Sequence, residues 1–477
     1  MPSLPSERPP ADPSSSLPRW SALWRGEEGH WSQYCVARVV EARHPGRADP
    51  ASPQDRLARG RTVRGRLLGV SDLASAVLPL IRTRADLWRC SAANAHGRQM
   101  HEAVDLLEAA QDPPPAERLA VCQKAIVSAV AVILKADDSS GIIGDAVRRL
   151  LNLHPQLAAQ AQPSVARLVD WLIAFQFDGR QDFFEIDPVA YAPALGDLGL
   201  KRYRDQLQRL RDELGPEPSE RERWIAPGGH TRFALDWNAR RLAVLDQDVD
   251  AIIATHARDR AVPRWLHDTA EALAEIDRSD LAIDWAKQAT DHGNGHQSLQ
   301  AADYWCALLA QHRPDQILAA RWEVFNRWPT SSTASHLHHA AGAHWSPYRE
   351  QVLDRLASRP RDAVLFALLT LQEPELAWDL AHELNLNDAD AWDRILREYE
   401  KLNPIATLPV HTRLVEELLV DAGAQNYQRA AKRLNTMRAL AAGTSHGLDV
   451  DAFIARLRET HRRRPRLLQE LDRAHLP

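Results

Sequence analysis

Between Trp265 and Leu440 apolar positions recur with the period of a helix, in stripes built largely from Ala, Leu and Trp. Ala282, Trp285, Ala286 and Ala289 stand at i, i+3, i+4 and i+7. Ala302, Trp305, Cys306 and Leu309 repeat that spacing, as do Ala377, Leu380, Ala381 and Leu384. Each segment therefore carries one apolar face. Leu318, Trp322 and Phe325 continue the stripe on a helix that follows Pro314, whose fixed φ and missing N–H suit a first turn, and that ends before Pro329. Gly293 with Asn294, then Pro347, Pro360 and Pro404, read as further stops, and Asn387 reads as an N-cap with Asp390 three residues on.

A helix with a single apolar stripe cannot bury it alone, so neighbouring hairpins must stack. Small Ala permits close approach and Trp fills the gap opposite. The expected fold is all-α, an irregular α-solenoid of tetratricopeptide-like hairpins. It is irregular because Trp285 and Trp322 are 37 residues apart while Trp378 follows after 56. About three quarters of the Trp side chains are expected to be core rather than the lining of a peptide-gripping groove, since large rings bury the most apolar area.

The pattern also divides the chain. Six prolines and a serine run within the first eighteen residues predict a disordered tail over 1–19. A short ordered piece with a linker is expected over 20–60, an N-terminal helical domain over 61–214 and the solenoid over 215–477. Within the helical domain, 100–110 and 116–135 predict helices split by Asp112-Pro113-Pro114-Pro115. There is neither a basic-then-apolar leader nor a membrane-spanning run.

Composition narrows the partners only slightly. With 44% hydrophobic and 26% charged residues the 477-residue chain is ordinary for a globular protein, and a formal charge of −5 is not that of a polycation seeking nucleic acid. Cys35, Cys90, Cys122 and Cys306 are scattered without a C-x-x-C pair, which fits a reducing cytoplasmic setting.

Chemical motifs are scarce, and no cofactor is implied. No phosphate-binding glycine loop or nucleophile elbow occurs. His382-Glu383 begins like a zincin motif, but Leu386 stands where the second histidine belongs. Asp246, Asp248 and Asp250 alternate as in a calcium loop, yet Ala251 and Ala257 occupy its glycine and bidentate-glutamate positions, so a helix start is the better reading. His336 and His339 share a helix face near His338 and His344, and would need His344 or a carboxylate to complete a metal site. Crowded neutral histidines at an exposed turn explain the same cluster. Asp137-Asp138-Ser139-Ser140-Gly141 is expected to cap the helix that follows, although paired carboxylates could instead take a cation. The run Arg456, Arg458, His461, Arg462, Arg463, Arg464 and Arg466 could neutralise phosphates or an acidic partner. The competing reading pairs it with Glu470, Asp472 and helix C-terminal carbonyls, and no aromatic residue interleaves for base stacking.

Asp137, Asp138, Ser139 and Gly141, then His154, Tyr191, Gly196, Gly199 and Tyr203, resemble a pattern in an uncharacterised bacterial all-helical family that is also found C-terminal to SWIM zinc fingers. The likeness spans roughly 70–477 and continues through Arg321-Trp322 and the run at Arg462. It implies no established activity. The finger's C-x-C and C-x-H ligands are missing here, so a DNA-binding role borrowed from the finger does not transfer. The function expected is a non-enzymatic helical scaffold that binds a protein partner on its concave surface. A nucleic-acid accessory role through the arginine run comes second, and a metal-dependent enzyme using Asp137, Asp138 or the His336 cluster comes third.

Overall fold

Alanine- and leucine-rich segments broken by Pro, Gly and Asn fold as short rods. The computed structural model describes residues 72–216, 218 and 228–477, and among the described residues there are 21 α-helices and no β-strand, only an isolated bridge between Leu87 and Ala136. The expected tail over 1–19 and the piece over 20–60 lie outside the described residues. No helix among the described residues is long and apolar enough to cross a membrane.

The first helices are α1 (Asp72–Ile81), α2 (Cys90–Ala109), α3 (Pro115–Ile133), α4 (Ile142–Ala161), α5 (Val165–Phe177), α6 (Pro188–Leu214) and α7 (Gly229–Leu245). The triple proline separates α2 from α3 as expected, with Pro115 opening α3. Helix α2 begins earlier than its apolar spacing suggests, because Cys90 to Gly97 is small and polar and shows little stripe. Met100, Ile126, Leu150, Leu157 and Leu168 are fully buried in one cluster that runs from Leu73 to Leu242, so Leu235 and Leu242 of α7 belong to this first core.

A four-residue helix α8 (Val249–Ile252) passes into a π turn, Ile253–Ala257. There follow α9 (Pro263–Glu275), α10 (Ser279–Asp291), α11 (His296–His312), α12 (Ile317–Arg327), α13 (Ser331–Ala341), α14 (Ser346–Leu356), α15 (Pro360–Leu365) and a second π turn, Phe366–Thr370. The chain ends with α16 (Pro374–Glu383), α17 (Ala389–Tyr399), α18 (Leu408–Val420), α19 (Ala424–Ala441), α20 (His446–Thr460) and α21 (Pro465–Arg473). Pro347 and Pro360 open helices rather than stop them, since a proline in the first turn loses no hydrogen bond. The cap before α17 is Asp388, whose Oδ1 accepts from Ala391 N at 2.8 Å, one residue beyond the Asn387 expected.

The alanine stripes are core: Ala282, Ala286, Ala289, Ala302, Cys306, Ala377 and Ala381 are buried. Substantial helix contacts join only neighbours or next-but-one neighbours in sequence, such as α9 with α10, α10 with α11, α15 with α16 and α18 with α19. Separate buried clusters follow one another in chain order, the second from Ala243 to Val324, the next from Phe325 to Phe366, then Val364 to Leu414 and Leu408 to Leu476. Tryptophan burial is less complete than the stacking positions suggest. Among the described rings Trp285, Trp305 and Trp392 are buried, Trp88 is 64% exposed and the rest are half-buried. Many reach the surface under a cation: Arg258 lies 5.0 Å from the Trp265 ring, Arg260 4.8 Å from Trp285, Lys287 5.0 Å from Trp305 and Arg327 4.8 Å from Trp328.

Candidate functional site

Helix α9 carries two faces. Leu266, Ala270 and Leu273 enter the core, while Arg264, His267, Asp268, Glu271 and Glu275 fall at i, i+3, i+4, i+7 and i+11 on a polar face. That face meets α7 and α11. Arg264 Nε holds Asp268 at 2.7 Å and its NH2 lies 3.7 Å from Glu271. Arg241 of α7 forks between Asp187, at 2.9 and 2.8 Å, and Glu275, at 2.7 Å through each terminal nitrogen. Arg258, just past the first π turn, lies 4.0 Å from Asp236 of α7, and Tyr304 of α11 packs its ring 4.9 Å from that of His267.

Burial dominates the chemistry here. It lifts the Glu271 carboxyl to about 7, against the pull of Arg264 and with a further push from Asp268 and Glu275. It raises Asp268 as well, although Arg264 and Arg240 oppose it. It lowers His267 to about 4, helped by Arg264, and lowers His256 to about 4, against the bond to the Ile252 carbonyl. Two polar groups are left over. His267 is 3% exposed, yet its Nε2 has no hydrogen-bond partner and stands 3.7 Å from Glu271 Oε1. Arg240 Nε is buried without a hydrogen-bond acceptor, while the guanidinium lies 5.7 Å from the Trp237 ring and feels Asp268, Asp236 and Glu185. A neutral imidazole and a carboxyl that titrates near neutrality, 3.7 Å apart, form a pair that can exchange a proton.

The residues singled out by the family-like pattern build the junction of α4, α5, α6 and α7. Asp138 is the cap expected for α4: its Oδ1 accepts from Ile143 N at 2.9 Å and its Oδ2 from Gly144 N at 2.8 Å. Asp137 Oδ1 accepts from Ser139 N at 3.3 Å, and Gly141 supplies a φ of 77° at the helix start. His154 is wholly buried, stacked 4.2 Å from Trp171 and bonded through Nδ1 to the Tyr191 hydroxyl at 2.8 Å; burial lowers it to about 3. Gly196 breaks α6 with φ 56° and ψ −176°, and Gly199 sits against Leu195 and Val165. Tyr203 lies in a buried hydrogen-bond ring with Gln176 and Asn238.

The remaining expected residues are placed as follows. His336 lies 3.5 Å from Asp303, His338 packs edge-on against Trp345, and His339 and His344 are exposed. Among the described residues no three His, Cys, Asp or Glu side chains converge on a metal position. In the arginine run, Arg458 pairs with Asp472 at 2.7 Å, Arg462 with Glu459 at 2.6 Å and Arg466 with Glu470 at 3.0 Å. Arg464 donates to the Leu419 carbonyl at 2.5 Å, Arg456 lies 5.5 Å from the Phe453 ring, and Arg463 is exposed. The α9 cluster was not among the expected sites. Its signal was available as a charged row, i, i+3, i+4 and i+7, running beside the apolar row of the same helix.

No curated protein and no solved structure matches the chain. A family of unknown function, DUF6880, matches residues 97–470, which take in the capping motif, the buried ring around Tyr203, the α9 cluster and the whole arginine run. The chain belongs to the DUF6880 family.

Proposed function

We propose that this protein is a non-enzymatic helical-repeat scaffold, an irregular tetratricopeptide-like α-solenoid that holds a protein partner on its concave surface. The supporting observation is the succession of separate cores in chain order, each shared only by helices close in sequence. Such packing is expected of a quasi-one-dimensional stack, an architecture that offers long binding surfaces. The choice of function on that fold rests on analogy. Half-buried Trp265 and Trp328 beneath Arg258 and Arg327 add to it, because Trp and Arg dominate binding hot spots. The likeness to a helical region found beside SWIM fingers fits a module that works next to a separate recognition element. Free thiols at Cys90, Cys122 and Cys306 support a reducing, cytoplasmic location.

Quantitative co-purification of the full-length chain from its native host tests the proposal. A stoichiometric protein partner, lost when Trp265 and Arg258 are replaced by Ala, is the expected result. Elution of the chain alone at low and high salt would overturn it. A nucleic-acid role through Arg456 to Arg466 has less support, since Arg458, Arg462, Arg464 and Arg466 are engaged within the chain. A metal-dependent enzyme built on Asp137 and Asp138 has less again, because both Asp138 oxygens already accept backbone N–H groups.

A further inference from the structure

We propose that the joint between α17 and α18 is a hinge held closed by neutral His411, so that protonating this one side chain releases α18 to α21 from the helices before them. The proposal stands independently of the scaffold reading.

Packing at this joint differs from that at the others. Among the described residues, consecutive helices are tied by close backbone packing, directly or through a next-but-one neighbour, except across Glu400 to Pro404, where that packing thins and side chains carry the connection. Pro404 cannot continue α17, and Lys401, Leu402 and Asn403 between them are exposed. The apolar part of the connection is small. Helix α18 sends Val410 and Leu414 into the core that holds Trp392, Ile395 and Leu396 of α17, whereas its Leu408, Val415 and Leu419 belong to the core of α19 to α21. A segment with so few buried contacts to its predecessor is one that opens locally before the rest of the fold does.

The polar part is one chain of bonds centred on His411, which is 3% exposed. Its Nε2 lies 2.8 Å from Glu400 Oε1 and its Nδ1 3.2 Å from Arg433 NH1 of α19. Arg433 NH2 then donates to Asp393 Oδ1, back on α17. A guanidinium has no acceptor and an ionised carboxylate no donor, so only the neutral ring with its proton on Nε2 satisfies both neighbours. A second proton falls on Nδ1 and meets Arg433 donor against donor and cation against cation, in a place closed to water. The bond to Glu400 survives, because Glu400 lies in the connecting turn, but Arg433 loses an acceptor that holds it beside Asp393. Since α18 and α19 pack closely on each other, the charged ring gains water where the packing is thin, by parting from α17.

The charged groups that face His411 are Glu400 and Asp393 from α17 and Arg433 from α19. On its own helix Arg413 is turned to the Trp392 ring at 5.0 Å, and Arg464 meets α18 at its far end, at the Leu419 carbonyl. Burial keeps the clasped ring below the ordinary 6.5, against the bond to Glu400 and with help from Arg433. The open state therefore binds the proton more tightly than the closed one, and acidification below that value favours opening by up to about tenfold per pH unit.

Double electron–electron resonance on the full-length chain tests this, with nitroxide labels on p-acetylphenylalanine introduced at the exposed Arg394 and Gln428 and samples between about pH 7.5 and 4.5. One narrow distance is expected at neutral pH, joined on acidification by a longer one whose population rises at least about fivefold. His411→Gln can still donate to Glu400 and accept from Arg433 but cannot take up a proton, so it should keep the single distance at every pH. NMR titration of the wild-type imidazole should give a midpoint that coincides with that of the distance change. The hinge is overturned if the wild-type distance stays single over the whole range, or if it changes only together with a loss of helical circular dichroism, which is unfolding. The clasp is overturned if His411→Gln opens as the wild type does. Should that variant not fold, a gap of more than about half a pH unit between the two wild-type midpoints overturns it instead.

Discussion

The Tyr203 hydroxyl donates to Asn238 Oδ1 at 2.6 Å, and both side chains are completely buried. Gln176 Nε2 donates to the same hydroxyl at 2.8 Å, and Asn238 Nδ2 returns to Gln176 Oε1 at 2.8 Å. The ring ties α5, α6 and α7 together. Asn238→Leu leaves Tyr203 without its acceptor and Gln176 Oε1 without its donor, each orphaned group costing roughly 1–3 kcal/mol. A loss of about 2–6 kcal/mol in stability, read from urea unfolding, is expected. An unchanged midpoint would show that the ring does not stabilise this junction.

This ring marks the boundary of what sequence reading recovers. Tyr203 stands out within a recognisable motif, but Gln176 and Asn238 are polar residues on ordinary-looking helices, and nothing local marks them as its partners. Helical stripes such as Ala282, Trp285, Ala286 and Ala289 are readable because burial repeats at a fixed spacing. Pro347 and Pro360 misled because proline both refuses to continue one helix and suits the start of the next. Glu271 and His267 owe their character first to burial, with Tyr304 of α11 packed against His267, and burial arises only on folding.

Two glycines in α6 should differ from a third in α4's capping turn. Alanine at Gly196 would have to adopt φ 56° with ψ −176°, a conformation confined to glycine, at roughly 1–3 kcal/mol. A Cβ at Gly199 would stand 2.9 Å from Leu195 Cβ and 3.2 Å from Val165 Cγ1, an overpacking that costs typically about 1–3 kcal/mol. Gly141→Ala also needs positive φ, but nothing lies within 4 Å, so only the backbone cost of about 1 kcal/mol applies. Thermal unfolding should therefore rank Gly141→Ala as the mildest of the three; if it were the most damaging, this account of the motif would fail.

Stability should climb from mildly acidic to neutral solution and then level off. Burial holds folded His154 at about 3, and His256 and His267 at about 4, against 6.5 in the ordinary state. The unfolded chain therefore binds more protons between roughly pH 4 and 6.5, and stability is lost on acidification, by about 1.4 kcal/mol per pH unit for each histidine. Glu271 has the opposite sign. Raised from 4.5 to about 7, it binds its proton more tightly in the folded state, so its contribution falls as pH rises through that window. Three unfolded histidines outweigh one folded glutamate across this range, although Glu271 flattens the rise above about pH 6.5. Urea midpoints at about pH 5, 6.5 and 8 should rise steeply and then only slightly, and Glu271→Gln should enlarge the second rise. A second rise unchanged in Glu271→Gln would assign the flattening to another group.

Arg463 and Arg464 offer the sharpest test of what the basic run is for. Arg464 reaches across to the Leu419 carbonyl in the last turn of α18, where helix carbonyls lack intrahelical partners and the dipole favours a cation. Its neighbour Arg463 is exposed and makes no comparable contact. Arg464→Ala should cost about 1–2 kcal/mol of stability, while Arg463→Ala stays within roughly 0.5 kcal/mol. If phosphate neutralisation were the purpose, the two substitutions would instead leave stability nearly equal and weaken low-salt retention on DNA or RNA to a similar degree. Parallel unfolding and retention measurements on the two single variants therefore separate a helix-capping arginine from a nucleic-acid contact, and equal effects in both assays would rule out the capping role.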